Sequence, residues 1–361
     1  MKALDGIVVL DLTRLLPGAV ATQWLADFGA EVIKIEQPDV GDYARQFTGA
    51  VFESTNRGKK SVEIDLKDPR GKEVFLKLAA RADVLIEGFR PGVMDRLGVG
   101  YEALREMNPR LIYVALTGYG REGKFAALAG HDVNYLALSG VLDMMGAKDG
   151  PPVLAGIQIA DLAGGSMQAV IGILLALEAR HRTGRGQRVD VSMFDGSAAL
   201  MTVPASSYRA SGKAPERGND LLSGRFACYQ IYAAAGGSYV TVGALEPKFW
   251  ENLCRELGCE ELIVDQYAEE PRQSEVKRVL AEKFLQATAE EWFAQLGAKD
   301  CCVAPVRNLK DAIADYSSSP IPALSETPGE THGHAPGLGE HNSAILSGTV
   351  SGATMEPRIL R

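Results

Sequence analysis

The sequence lacks the features that mark a metal-binding or disulfide-bonded protein. Its cysteines are odd in number and include no CxxC pair; they are Cys228, Cys254, Cys259, Cys301 and Cys302. Neither a zinc site nor a disulfide framework is expected, and reduced thiols in the cytoplasm are the better interpretation. No group of histidine, cysteine and aspartate has metal-ligand spacing, so no metal is predicted.

A net positive charge and long apolar runs are also lacking. The net charge is −8, which argues against nucleic acid as a partner because phosphate recognition needs a basic face. No apolar stretch reaches the roughly 20 residues that a membrane helix needs. The N-terminal "MKALDGIVVLDLTR" lacks a long hydrophobic region and a cleavage site, so it predicts a first strand and not a signal peptide. We expect a cytoplasmic protein with no membrane partner.

What is present is a repeating pattern of strands and helices over the first half of the chain. The β-rich runs that alternate with helical segments are 6–12, 31–36, 60–66, 83–89 and 111–120. Strands joined through a helix are expected to be parallel. The pattern predicts an open α/β sheet covered by helices on both faces. A helix at 166–181 is apolar on nearly every side and is predicted to be buried.

The composition changes after Pro204. The segment 204–225 is rich in proline, glycine and serine and predicts a linker. A hairpin is predicted at 228–244, and helices follow at about 247–257, 274–287 and 289–298. Together these elements predict a small α+β domain at 226–308.

Two residues are candidates for acid–base chemistry. His131 stands in "GHDVNYLALSG", after a glycine-rich turn and before an apolar helix, and histidine is the side chain best suited to exchange a proton near neutral pH. The competing interpretation is an ordinary loop histidine. Asp161 stands beside Gly164 and Gly165, where a ligand could approach the backbone closely. Its competing interpretation is a helix N-cap.

Glu246 and several basic residues are weaker candidates. Glu246 follows a predicted strand and could orient a histidine, or it could be a first-turn helix acid favoured by the helix dipole. The basic residues that could hold phosphates are Arg57, Lys59, Lys60, Arg90 and Arg96; Arg90 and Arg96 follow the strand 83–89, at whose carboxyl end ligands bind in open α/β sheets. Solvated surface charge is the alternative for each. The GxGxxG match "GYGREG" (118–123) is weak, because no amphipathic helix opens at its last glycine.

Several stretches in order carry a resemblance over residues 4 to about 346. They are "GIVVLDLTRLLPGAVATQWLADFGAEVIKIEQP", "NRGKKSVEIDLKDPRG", "DVLIEGFRPGVMDRLGVGYEALREMNPRLIYVALTGYGREG", "GHDVNYLALSG", "GQRVDVSMFDG", "CVAPV" and "PGLGEH". The chain is similar to the family III CoA-transferase superfamily, which also contains α-methylacyl-CoA racemases. Gln37 departs from the pattern, because some relatives carry a basic CoA contact there.

The resemblance implies a Rossmann-like large domain built from both chain ends, here 1–203 plus 317–361. A linker at 204–225 leads to the small domain, and a return linker at 309–316 leads back. The resemblance also implies an interlocked homodimer, in which each active site lies between one large domain and the small domain of the partner. The large domain would bind coenzyme A as part of the substrate, with no permanently bound cofactor.

The resemblance further implies chemistry for the candidate residues. His131 and Asp161 match the acid–base pair of the racemase branch, and Glu246 matches a glutamate that supports the histidine. The backbone N–H of Asp132 is a candidate donor to an enolate oxygen, and Tyr135 is a candidate CoA contact. These matches favour a 2-methylacyl-CoA racemase or epimerase that transfers a proton through an enolate.

Two alternatives stay open. A CoA-transferase would use Asp161 as a nucleophile that forms an aspartyl-acyl anhydride. A non-catalytic acyl-CoA-binding dimer is the third interpretation, disfavoured because all three acid–base residues are present.

Overall fold

The computed structural model describes residues 1–47, 49–317, 319–331 and 333–350, with side chains only as far as residue 347. Two compact units form. The first contains Met1–Val141, Ala155–Thr202 and the chain from Ser317, and the second contains Leu142–Leu154 and Val203–Tyr316. Residues 351–361, which were assigned to the large domain, lie outside the described residues.

The first unit is built on a parallel sheet. Its strands are β1 (Val8–Leu12), β2 (Glu31–Glu36), β3 (Lys60–Glu63), β4 (Val84–Glu87), β5 (Ile112–Thr117) and β6 (Arg188–Ser192). They lie in the order β3-β2-β1-β4-β5-β6, with every neighbouring pair parallel. This is the strand order of a doubly wound Rossmann-type sheet. The prediction of a parallel α/β sheet is confirmed.

Helices connect these strands and cover the sheet. They are α1 (Leu16–Asp27), α2 (Ala44–Phe47), α3 (Gly49–Asn56), α4 (Pro69–Ala79), α5 (Val93–Arg96), α6 (Tyr101–Met107), α7 (Asp132–Ser139), α8 (Gln168–Thr183), α9 (Met193–Ala199) and, near the C-terminus, α15 (Asn342–Val350). The sequence sets some of their ends: Asp68 caps α4 by accepting the Arg70 N–H at 2.8 Å, with Pro69 at the first helical position.

The reversal of strand order places a crevice between β1 and β4. The chain leaves β1 toward β2 and leaves β4 toward β5, so the loops at the carboxyl ends of β1 and β4 diverge there. Both strands are buried along nearly their whole length, which holds these loop origins rigidly. The fold therefore offers a ligand site where 13–18 and 88–91 begin.

Helix α8 differs from its prediction. A π-helical segment, Ala160–Met167, continues directly into it. Together they form one helix, Ala160–Thr183, which among the described residues is long and apolar enough by length and composition to span a membrane. The prediction that no stretch reaches that length is wrong. The helix is also not buried all round, because an apolar stripe is exposed at Met167, Ile171, Leu174 and Leu175.

The second unit contains a small antiparallel sheet, β7 (Tyr229–Ala233), β8 (Tyr239–Gly243) and β9 (Val303–Pro305), in that order. Its helices are α10 (Thr202–Ser211), α11 (Pro247–Glu256), α12 (Arg272–Phe284), α13 (Ala289–Leu296) and α14 (Leu309–Ala312). Trp250, Phe284 and Trp292 anchor its core. The predicted hairpin is present as β7 and β8.

The first unit ends at Thr202 and resumes at Ser317, within one residue of the bounds predicted for the large domain. The segments 142–154, 204–225 and 309–316 belong to the second compact unit. Part of 204–225 is helical and belongs to α10. The helix tolerates Pro204 because this residue stands in the first turn, where the backbone N–H would have no partner within the helix. Arg217 then ties this segment to 142–154 by pairing with Asp143.

The cysteines are free in the structure. Cys301 is buried, whereas the adjacent Cys302 is exposed and has a φ of 51°.

Candidate active site

A cavity of about 740 Å³ opens at the crevice of the first unit. Its wall contains segments 13–18, 88–91, 116–119 and 128–131, and side chains from Ala44, Val51, Ala126, Tyr135, Gln158, Asp161 and Met193. These segments follow β1, β4 and β5 at their carboxyl ends, where ligands of doubly wound sheets bind. The wall is mainly apolar, with a few polar groups, which is typical of a small-molecule site.

His131 lies on this wall at the start of α7. It is the N-cap residue, with extended backbone (φ −127°, ψ 177°), and its N–H donates to Asn134 Oδ1 at 3.0 Å. This hydrogen bond between the N-cap residue and Asn134, within the first turn of α7, holds the backbone from which the imidazole projects. The imidazole itself is exposed toward the cavity side of the first unit.

The glycine before His131 is required by close packing. A Cβ at Gly130 would lie 2.8 Å from Tyr119 Oη and 2.8 Å from Tyr135 Cε1, and a Cβ at Gly118 would lie 2.5 Å from that same Cε1. Tyr135 therefore fills the space between two glycines. Its hydroxyl donates to the Gly130 carbonyl oxygen, so that hydroxyl is already engaged inside the protein. Tyr135 lines the cavity, but its hydroxyl positions the backbone beside His131.

Asp161 lines the same cavity and lies in the first turn of the π-helical segment. It is half-buried, and burial, followed by the nearby Asp132, raises its pKa from 3.8 to about 7. Asp132 Oδ1 accepts the Asp161 N–H at 3.0 Å, which links the start of α7 to the start of this helix. The N-cap is Ile159, so the interpretation of Asp161 as an N-cap is wrong.

The glycines after Asp161 serve helix packing. A Cβ at Gly164 would lie 2.7 Å from the Met193 carbonyl oxygen, and a Cβ at Gly196 would lie 2.1 Å from the Gly164 carbonyl oxygen. Helix α9 therefore occupies the space in which the sequence suggested a ligand approach to Gly164 and Gly165. The expectation of a ligand at that point is not met, because protein backbone fills it.

The predicted basic contacts separate into different environments. Arg90 lines the cavity, whereas Arg96 is exposed and is not among the lining residues. Arg14, which the sequence interpretation missed, also lines it; its Nη1 donates to Tyr43 Oη at 3.1 Å. The rule that singled out Arg90, a basic residue after a parallel strand, applies equally to Arg14 after β1.

The "NRGKK" residues lie outside the cavity lining. Arg57 pairs with Asp27 at 2.6 Å and Lys60 pairs with Glu31 at 2.6 Å. The Lys59 side chain has no exposed surface. Burial leaves Lys59 no face with which to contact a phosphate, so the structure argues against its predicted role as a CoA contact.

Glu246 belongs to the second compact unit. It is the N-cap residue of α11 but makes no side-chain capping bond, and its side chain is exposed. The residues that line the cavity all belong to the first unit. The structure therefore brings His131, Asp161, Tyr135 and Arg90 together, and Glu246 is not part of that group.

His131 and Asp161 give the cavity two proton-transfer groups of different chemistry. An imidazole and a carboxyl whose pKa is raised to about 7 can both gain or lose a proton near neutral pH. Among the described residues, no group of three histidine, cysteine, aspartate or glutamate side chains could hold a metal ion.

Comparison with known proteins supplies the chemical context. A family model described as CoA-transferase family III matches residues 4–319. The chain is 37% identical to the alpha-methylacyl-CoA racemase of Homo sapiens, over 95% of this chain and 92% of that protein. It is 41% identical to the acetyl-CoA:oxalate CoA-transferase of Acetobacter aceti, over 72% of this chain and 68% of that protein. The solved structure of a CAIB/BAIF family protein from Brucella suis matches with a TM-score of 0.85 at 31% identity, covering 96% of this chain and 99% of that one.

Proposed function

The chain belongs to CoA-transferase family III, as its resemblance predicted, and from that premise we propose that it inverts the α-carbon of a 2-methylacyl-CoA thioester. It is an enzyme of that family, in which an alpha-methylacyl-CoA racemase matches 95% of its length. The observation that carries the proposal is that His131 and Asp161 line the same cavity. A transferase needs the aspartate alone, whereas inversion needs a second proton-transfer group.

Inversion is most direct with one base on each face of the α-carbon. The carbon-bound proton is weakly acidic, and the thioester helps by accepting charge on its carbonyl oxygen. For one enantiomer, neutral His131 removes the proton and protonated Asp161 supplies one to the opposite face. For the other enantiomer, the carboxylate of Asp161 removes the proton and the imidazolium of His131 returns one. Positioned acid–base groups typically contribute about 10²- to 10⁴-fold to the rate.

The raised pKa of Asp161 fits this reciprocal use. An ordinary aspartate is a poor proton donor at neutral pH, because almost all of it is ionised. Burial brings the pKa of Asp161 to about 7, so at neutral pH part of this carboxyl keeps its proton while the rest is ionised. Asp161 can therefore act as the acid in one direction of the reaction and as the base in the other.

The enolate oxygen needs hydrogen-bond donors. The backbone N–H of Asp132 opens α7 beside His131, and the first N–H groups of a helix have no partner within the helix. One such donor in a preorganised site is worth about 10²- to 10³-fold in rate. We assign this role to Asp132.

Coenzyme A enters this account as part of the substrate, with no permanently bound cofactor. Arg90 and Arg14 stand at the cavity and are the cations that we assign to its phosphates, with the exposed Arg96 as a further contact. Arg57 and Lys60 each face an acidic partner and would have to exchange it to bind phosphate.

We further propose that two copies interlock and that Glu246 of one copy supports His131 of the other. The exposed apolar stripe of α8 supports self-association, because contiguous apolar surface on a helix marks an interface. In this arrangement 204–225 and 309–316 connect the large and small domains of each copy, and the apolar helix serves the dimer and not a membrane. We place the enzyme in the cytoplasm.

A CoA-transferase remains the second candidate, favoured by the identity of 41% to an acetyl-CoA:oxalate CoA-transferase. In that reaction the carboxylate of Asp161 would attack the thioester carbonyl, release CoA and form an acyl anhydride, which an acceptor carboxylate would resolve.

One experiment separates the two functions. A 2-methylacyl-CoA is incubated with the enzyme in deuterium oxide, with and without a free carboxylic acid, and the α-carbon is followed by NMR. Deuterium that enters the α-carbon without an acceptor supports racemisation. A new thioester that appears only with the acceptor, and no deuterium without it, would replace the proposal by the transferase function.

A further inference from the structure

A network of buried charges lies directly behind the wall formed by segment 13–18. Asp11, Lys34 and Asp42 are 0%, 0% and 1% exposed. Lys34 Nζ lies 2.9 Å from Asp42 Oδ2 and 4.0 Å from Asp11 Oδ2. Lys59 Nζ, 3.2 Å from Asp11 Oδ2, is the second cation of this buried charge network. None of these groups takes part in the chemistry proposed above.

The network binds the backbone of the cavity wall. Asp11 Oδ1 accepts the Thr13 N–H at 2.9 Å and the Thr13 hydroxyl at 2.6 Å. Lys34 Nζ donates to the Thr13 carbonyl oxygen at 2.9 Å, and Asp42 Oδ1 accepts the Leu15 N–H at 2.9 Å. Hydrogen bonds to charged groups are roughly twice as strong as neutral ones. Three charged side chains therefore determine the path of the chain at Thr13 and Leu15.

Asp11 and Lys34 are held in their charged forms. Burial raises the pKa of Asp11, but Lys34, Lys59 and two threonine hydroxyls together lower it to about 2. Burial lowers the pKa of Lys34, but Asp11 and Asp42 outweigh that effect and hold it above its usual value. Buried charges that compensate one another in this way fix one another's positions, because removing one partner leaves an uncompensated buried charge.

The same segment carries backbone strain. Leu15 has a φ of 62° and a ψ of −143°, a left-handed conformation that residues with a side chain rarely adopt. Such residues persist where the surroundings over-determine them, and they cluster at functional sites. Two residues later, the Pro17 carbonyl oxygen accepts the hydroxyl of Ser166 at 2.6 Å. Ser166 lies on the same π-helical segment as Asp161, so the wall is tied at both ends.

We propose that Lys34 and Asp42 are positioning residues: they hold segment 13–18 in the one conformation that confines the acyl-CoA between His131 and Asp161. The inference rests on the proposed function for its kinetic readout. Segment 13–18 lines the cavity but supplies no proton-transfer group. Its displacement therefore weakens substrate binding more than it slows the chemical step.

The first test replaces Asp42 by asparagine. The amide keeps the size of the carboxylate, but one of its two ends donates. Either its NH₂ group faces the Lys34 ammonium, or it faces the Leu15 N–H, so one of the two contacts is lost. We expect KM for the acyl-CoA to rise about ten- to a hundredfold with a much smaller change in kcat.

Asp83 provides the matched control. Its Oδ2 accepts the Val8 N–H at 2.9 Å, and its Oδ1 pairs with the buried Arg180 at 2.9 Å. It therefore makes the same two kinds of contact in the same unit, but it lies at the amino end of β4, away from the cavity lining. Asp83→Asn should lower the denaturation midpoint as Asp42→Asn does, and leave KM within about twofold of wild type.

A double variant separates positioning from stability. Lys34→Met with Asp42→Leu removes both charges and keeps similar volume, an exchange that often restores stability. It leaves the Thr13 carbonyl and the Leu15 N–H without their partners. We expect the denaturation midpoint to recover relative to Asp42→Asn while KM stays raised. Circular dichroism confirms folding, and if Asp42→Asn does not fold, the double variant decides.

Two results would overturn the inference: a KM for Asp42→Asn equal to that for Asp83→Asn, or a KM for the double variant that recovers together with stability. An inactive wild type would instead refute the proposed function. In that case the dissociation constant of CoA itself, measured by calorimetry on the same variants, tests the positioning role with the same expected ranking.

Discussion

Replacing Asp161 by asparagine should stabilise the protein above pH 7 and abolish racemisation. Burial, followed by Asp132, raises the pKa of Asp161 from 3.8 to about 7. The folded protein therefore holds this proton more tightly than the unfolded chain does. Between about pH 4 and pH 7 the contribution of Asp161 to stability falls as the pH rises, because the unfolded chain ionises first. Above pH 7 both states are ionised and the loss is complete.

The size of this stability loss follows from the difference between the pKa of Asp161 in the folded protein and in the unfolded chain. About three pKa units at 1.36 kcal/mol each correspond to about 4 kcal/mol of stability lost above pH 7. Asp161 is only half-buried, and solvent screening reduces this to about 2–4 kcal/mol. Asparagine carries no charge at any of these pH values, so its folded state does not bear this cost. The variant should gain stability relative to wild type as the pH rises from 5 to 8.

Urea denaturation at pH 5 and pH 8 measures this difference directly. Glu87 is the matched control, because burial also raises its pKa, from 4.5 to about 7, and it has no role in the proposed reaction. Glu87→Gln should show a similar gain in stability with rising pH and should keep racemase activity. If Asp161→Asn shows no such gain, the carboxyl is not desolvated as described and the argument from its pKa fails.

Two further predictions concern the segments around the site. Tyr135→Phe removes the hydrogen bond to the Gly130 carbonyl and should lower kcat about tenfold with little change in KM in steady-state kinetics. The control Tyr232→Phe removes the equivalent bond to the Ala227 carbonyl at 2.8 Å and should not change kcat. Equal effects of the two variants on kcat would refute the positioning of His131 by Tyr135. Leu15→Gly should be more stable than Leu15→Ala by about 1–2 kcal/mol in urea denaturation, because only glycine accepts the left-handed backbone without strain; the reverse order would contradict that conformation.

The sheet could be predicted from sequence because its strands are short apolar runs separated by helices. The run 31–36 coincides with β2, because its short length and its valine and isoleucine side chains favour a buried strand over a buried helix. Helix α8 was harder, since an apolar helix does not reveal which of its faces will be left exposed. In the segment 204–225, residues 204–211 belong to α10 and residues 212–225 contain no helix or strand. Proline and serine favour loops except in the first turn of a helix, where Pro204 lies.

The site depended on long-range convergence. His131 and Asp161 are 30 positions apart, and their common cavity follows from the strand order, which no local pattern encodes. Lys59 illustrates the limit: its ammonium is satisfied by Asp11, Thr22 and Asn56, which come from three separate segments. A single sequence cannot distinguish such a lysine from one at the surface, because the compensating partners become neighbours only in the fold.

The central claim is that two different residues serve the two faces of the α-carbon. Both enantiomers of one 2-methylacyl-CoA are incubated separately in deuterium oxide with wild type, His131→Gln and Asp161→Asn. Wild type should exchange the α-proton of both enantiomers and interconvert them. Each variant should fail to interconvert them, and any remaining exchange should be confined to one enantiomer, a different one for each variant. Residual exchange in the same enantiomer for both variants, or undiminished inversion by either, would contradict the account.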